Sequence, residues 1–246
     1  MIVLLAAARI CFAQDDNTLR IAAAADLQPV LPALMDEFTK QTHEKVEASY
    51  ASSATLATQI LNGGPFGLFL SADLSFPQKV VDAGLAESTA PVAYARGTLV
   101  LWARRDSPVQ PLSLDSLRSP SLKTLAVANA EHAPYGRAAK AAIAQLGLTE
   151  MLQSKLVVAE NIAQTAQFAD SGNANAGLIS LTSALTDRLR GDGKYVEMPE
   201  GSYPPLLQGA VVLKQGPAVA EAKQFLAFLL SPAIRKQLSE RGLKAP

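Results

Sequence analysis

Cysteine is almost missing from this chain: there is one, Cys11, in 246 residues. Internal disulfides and Cys-built zinc sites are thereby excluded, and removal of Cys11 with the N-terminal segment, which reads as an export signal, would exclude thiolate chemistry as well. Histidine is nearly as scarce, with two residues and no metal-ligand spacing around either. His43 falls in a polar turn after a helical pattern and reads as solvated, and His132, in Glu131-His132-Ala133-Pro134, reads as a loop hydrogen-bonder rather than a base. An excess of either charge is absent too. Lys+Arg and Asp+Glu both number 22, and the basic residues do not cluster with aromatics, so neither nucleic acid nor anionic lipid is an expected partner. No apolar run reaches membrane-spanning length. The nucleophile elbow, the zincin helix, the P-loop and the dinucleotide fingerprint are all missing, and an enzyme is not expected.

What remains is a chain 49% hydrophobic and 18% charged, able to bury a sizeable core as one large domain or two lobes. Residues 1–13 read as an export signal: an apolar run from Ile2 is followed by Cys11 and Ala13, at the −3 and −1 positions of a cleavage site before Gln14. Lipid attachment at Cys11 would need small residues ahead of it, where Arg9 and Ile10 stand. The expected product is a cysteine-free, soluble, exported protein of the bacterial periplasm.

Beyond the signal, strand and helix patterns alternate. Strands are expected over 19–25, 46–50 and 68–71, with helices over 30–41, 56–61 and 77–83, a βα series that predicts a parallel sheet covered on both faces. Two strands follow, over 92–94 and 98–103, and then a polar, Pro-punctuated stretch. A second series places strands over 124–128, 156–159 and 176–180 and helices over 138–146 and 162–169. Tyr203-Pro204-Pro205 breaks the chain before a strand over 209–213 and helices over 218–230 and 232–238. These last pieces pack most economically on the first series. Residues 14–96 with 205–246 are therefore expected to form one lobe and 97–204 the other, with two chain crossings that permit a hinge.

Polar residues recur where strands turn into helices: Asp26; Ser52 and Ser53; Ser71 and Asp73; residues 129–135; Glu160 and Asn161; Ser180 and Thr182. Each alone is an ordinary N-cap. Together they converge on one presumed cleft and bring almost no Lys or Arg. That composition suits an anion held by backbone N–H groups and hydroxyls at helix N-termini.

The segments LRIAAAADLQPVLPALMDEF, YASSATLATQILNGGPFGLFLSAD, ANAEHAPYGRAAKAAIAQLG, AENIAQTAQFADSGNANAGLIS and YPPLLQGAVVLK resemble, in order, those of the periplasmic molybdate-binding proteins, the solute receptors of molybdate ABC importers. The resemblance implies an α/β, two-lobed type II periplasmic binding-protein fold closing over a tetrahedral dianion. It carries the ligand contacts to Asp26, Ser53, the Tyr135 N–H, the Ile162 N–H and Ser180. Molybdenum would enter only inside the oxyanion, with no bare cation and no cofactor.

The implied partners are molybdate or tungstate and the membrane permease of the importer, the receptor itself being a monomer. Two positions depart from the family pattern, Asp26 and Ser180, where a hydroxyl and a tyrosine are usual. A carboxylate about 4 Å from a dianion would cost about 8 kcal/mol at an effective dielectric of 20, so Asp26 is expected to turn away and cap the helix beginning near Gln28-Pro29. Two alternatives stand beside this reading: a receptor for sulfate or an organic acid, and an enzyme on the same two-lobed fold.

Overall fold

The computed structural model describes residues 18–216 and 218–246, and the expected export signal lies outside them. The first sheet is entered through β1 (Leu19–Ala24), followed by a single 3-10 turn over Ala25–Leu27 and helix α1 (Leu31–Thr42). Then come β2 (Val46–Ala51), α2 (Ser53–Leu61), β3 (Leu68–Ser71), α3 (Ser75–Asp82) and β4 (Val92–Gly97). One residue separates β4 from β5 (Leu99–Arg104), which belongs to a second sheet.

That sheet continues through β6 (Leu125–Ala128), α4 (Pro134–Gln145), α5 (Thr149–Gln153), β7 (Leu156–Ala159), α6 (Ile162–Asp170), β8 (Ala176–Ser180), α7 (Leu181–Ala184), α8 (Asp187–Asp192) and β9 (Gly193–Glu197). The chain then returns to the first sheet with β10 (Leu206–Val212) and ends in α9 (Val219–Leu230) and α10 (Pro232–Glu240).

The strand orders are β2-β1-β3-β10-β4 and β7-β6-β8-β5-β9. Neither sheet is wholly parallel, which corrects the sequence expectation. β10 runs antiparallel to both β3 and β4, and β5 runs antiparallel to both β8 and β9. The antiparallel strands are the ones that carry the chain between lobes, so they enter each sheet from the opposite end. The inner parallel strands are short apolar runs buried on both faces, such as Leu68–Ser71 and Leu125–Ala128, whereas the edge strands β2 and β7 are partly exposed.

α9 and α10 cover the first sheet, where Phe38 of α1 meets Phe225 edge-on at a centroid distance of 4.9 Å. Trp102 of β5 is fully buried in the second lobe, its indole N–H donating to the Leu189 carbonyl at 3.1 Å. His43 ends α1 in a left-handed conformation with φ 64°, its N–H on the Thr39 carbonyl, and so serves as a helix stop. No helix among the described residues is long and apolar enough to cross a membrane.

The lobes meet. Thr182 Oγ1 donates to the Asp26 carbonyl at 2.7 Å, and the Ala54 N–H to the His132 carbonyl at 3.1 Å. The Arg137 guanidinium, lying 5.1 Å over the Phe76 ring, pairs with the Asp73 carboxylate. A single buried cluster holds Ala24, Ala25 and Ala72 of the first lobe together with Ala133, Tyr135 and Ile162 of the second. The cleft is closed in this structure.

Candidate functional site

Three helices begin at this closed cleft, and each presents N–H groups that its own first turn cannot use. In α2, Ser52 is the N-cap: its Oγ accepts from the Thr55 N–H at 3.3 Å and lies 2.7 Å from Thr55 Oγ1. Ser53, the next residue, is buried, and its Oγ accepts from the Ala72 N–H at 3.1 Å. With one lone pair so engaged, the Ser53 hydroxyl keeps its proton to donate. The two adjacent serines are thus divided in role, one capping the helix and one tying its start to the turn after β3.

α4 has no side-chain cap. Its first residue, Pro134, has no N–H to satisfy, and the Arg137 N–H bonds the Ala133 carbonyl at 3.1 Å. The N–H groups of Tyr135 and Gly136 lie in the turn between. A Cβ at Gly136 would collide with the Ala128 carbonyl, so the missing side chain lets the start of α4 sit against the end of β6. In α6 the Asn161 side chain caps the Gln164 N–H at 3.0 Å and the Thr165 N–H bonds the Asn161 carbonyl, which leaves the first donors at Ile162 and Ala163. Ser53, Tyr135 and Ile162 are each no more than 3% exposed.

Ser180 is placed differently. Its Oγ caps α7, accepting from the Ser183 N–H at 3.3 Å, and lies 2.9 Å from both Ser183 Oγ and Thr182 Oγ1. Its hydroxyl is occupied inside its own turn.

Asp26 is also not the helix cap expected from the sequence. α1 starts at Leu31 without any side-chain cap, and Asp26 sits within the 3-10 turn, fully buried. Its Oδ2 accepts from Gln208 Nε2. The Gln208 Oε1 accepts in turn from the Tyr94 hydroxyl at 2.7 Å. Register slips between Gln208 and Gly209 where β10 pairs β4, so that Tyr94 stands as the extra residue opposite. That bulge aims the pair inward. Burial pushes the Asp26 carboxyl up to about 6, against the opposing pull of Gln208, the Tyr135 hydroxyl and its own N–H. The Tyr135 phenol is close enough to act on the carboxyl, yet Asp26 Oδ1 and Tyr135 Oη make no hydrogen bond of good geometry to any group.

Gln208 and Tyr94 were not singled out from the sequence. A glutamine inside the otherwise apolar strand LLQGAVV was the available signal, since a buried amide in a strand needs a partner. The one cation in these turns, Arg137, is committed to Asp73. His132 lies 3.2 Å from Glu160 Oε1 at the rim, and no group of three or more His, Cys, Asp or Glu among the described residues could hold a metal ion. The arrangement can stabilise a compact anion through dipoles and hydroxyls, and it offers no base beside a nucleophile.

The family model described as bacterial extracellular solute-binding protein matches residues 19–244. Molybdate-binding protein ModA of Azotobacter vinelandii is 33% identical over 242 residues, covering 98% of this chain and 96% of that protein. ModA of Rhodobacter capsulatus is 36% identical over 205 residues, covering 83% and 79%. Among solved structures, the Azotobacter vinelandii periplasmic molybdate-binding protein aligns with a TM-score of 0.87 at 30% identity, over 93% of this chain and 99% of the other. The sulfate-binding protein SubI of Mycobacterium tuberculosis shares the fold alone, with a TM-score of 0.75 at 14% identity over 93% and 87%.

Proposed function

The chain belongs to the family of bacterial extracellular solute-binding proteins, and from that premise we propose that it captures molybdate between its lobes and delivers it to the permease of an ABC importer. Export to the periplasm and release as a soluble monomer complete the reading, and tungstate, of the same shape and charge, is the second ligand. Residues 18–97 with 205–216 and 218–246 make one lobe on this reading and 98–204 the other, Gly97 being the last residue of β4 in the first sheet, with a hinge where the chain passes between sheets.

One observation supports this most. Ser53 from the first lobe and the starts of α4 and α6 from the second are buried around a common cluster, with a hydroxyl proton and several N–H groups to donate and no uncommitted cation. Fixed dipoles stabilise a dianion without the desolvation penalty of mobile countercharges and without locking it in against release. The proposed ligand set is the Ser53 hydroxyl with the N–H groups of Tyr135 and Ile162. Asp26 and Ser180 support it from behind, Asp26 Oδ2 being taken up by Gln208 and Ser180 Oγ by the start of α7.

A set of this kind separates molybdate from sulfate, equal in charge, by cavity size. Molybdate should therefore raise the melting temperature by mass action, with about 2.7 kcal/mol of stabilisation at a hundredfold excess over Kd. Tungstate should match it and sulfate should do far less; equal shifts for sulfate and molybdate in calorimetry would refute the reading.

A further inference from the structure

Tyr135 has its N–H at the start of α4, but its side chain leaves its own lobe. The phenol oxygen lies where a Cβ at Gly97 would collide with it, and that same Cβ position is 3.3 Å from Gln208 Nε2. Gly97 ends β4, Gln208 lies in β10 and Asp26 follows β1, so three strands of the first lobe build a socket around a phenol from the second. Tyr94 closes its floor through Gln208. Asp26 Oδ1 and Tyr135 Oη are the unpartnered buried atoms within it.

On the oxyanion reading just given, we infer that Tyr135 is the positioning residue that ties ligand capture to lobe closure: its N–H serves the anion while its phenol seats in the socket formed by Gly97, Asp26 and Gln208. One residue then senses both events. An anion that orders the first turn of α4 also aims the phenol, and the seated phenol holds that turn against the ligand. Gly97 adds a mechanical reason, because only Thr98 separates it from β5, where the chain passes between lobes. Rotation about that crossing displaces the socket from the phenol. The carboxyl and the phenol each perturb the other's ionisation, the phenol being pushed up by burial and by Asp26.

A packing role alone predicts the opposite of a coupling role. If the ring merely filled space, deleting an unpartnered buried hydroxyl would leave affinity unchanged or raise it.

The test uses the full chain with sodium molybdate as probe, measuring affinity by titration calorimetry, release by stopped flow and compaction by X-ray scattering. Tyr135→Phe, which keeps the N–H but removes the oxygen through which the phenol acts on the Asp26 carboxyl, is expected to weaken molybdate binding about 5- to 30-fold, mostly through faster release. Gly97→Ala, which fills the socket, is expected to reduce the ligand-induced fall in radius of gyration. Should Gly97→Ala fail to fold, Tyr135→Phe decides alone. Normal binding by the unaltered chain with unchanged release and compaction in Tyr135→Phe would overturn the coupling role only. Absence of molybdate binding in the unaltered chain would overturn the oxyanion reading and this inference together.

Discussion

Replacing Asp26 with asparagine tests the polar core of the cleft without changing its shape. The carboxyl is fully buried and pushed up to about 6 from an ordinary value of 3.8. A folded-state value above the unfolded one means that the folded protein holds the proton more tightly. The stability this confers is complete below about pH 4 and is lost as pH rises through about 6.

Raised from 3.8 to about 6, the carboxyl when ionised costs about 3 kcal/mol of stability at pH 7. The substituted amide carries no charge to desolvate, its oxygen can still accept from Gln208, and its hydrogens face the unpartnered Tyr135 oxygen. Asp26→Asn should therefore stabilise the protein at pH 7 by up to about 3 kcal/mol, raising Tm by about 6–12 °C for a chain of this size. At pH 4 the two proteins should melt nearly together. Scanning calorimetry of both across this range isolates the contribution of Asp26, because every other titrating group is common to them. A difference that does not vary with pH, or a less stable variant at pH 7, would refute the argument.

On the proposed ligand set, Ser53→Ala would remove a hydrogen bond to the anion and should weaken molybdate binding by about 1.5–3 kcal/mol, whereas Ser52→Ala should cost about 1 kcal/mol of folding stability and leave most of the affinity; titration calorimetry and melting separate the two effects. Ser180→Ala should likewise lower stability by about 1 kcal/mol through the lost cap of α7, with affinity changed less than about twofold. Arg137→Gln breaks a partly exposed ion pair across the cleft mouth, so molybdate release in stopped flow should quicken at most about fivefold. That difference should fade in about 0.5 M salt.

Several parallel strands were legible because apolar runs buried on both faces leave their length in the sequence, as at Leu68–Ser71, Leu125–Ala128 and Ala176–Ser180; Leu156–Ala159 carries the same apolar run although Val158 is exposed. The start of α4 was not. Proline and the polar residues ahead of it read as loop, so the expected helix began at residue 138 although Pro134 opens it. α5, α7, α8 and β9 are short and only weakly periodic, too brief for amphipathic patterning to declare them.

At the site, Ser53 and Ile162 were named through the family resemblance; they are the first residues of α2 and α6, with one and two residues respectively between each and the strand before it. The surroundings of Asp26 could not be placed, since its partner Gln208 is 182 residues away and reaches it only through the pairing of β10 with β3 and β4. An aspartate just before a helical pattern reads locally as a cap, and tertiary packing gave it another use.

A crystal grown with molybdate and measured at the molybdenum absorption edge tests the central claim most directly. The account predicts one strong anomalous peak in the closed cleft, within hydrogen-bonding reach of Ser53 Oγ and the N–H groups of Tyr135 and Ile162. A peak bound elsewhere, or an empty cleft at saturating molybdate, would contradict it.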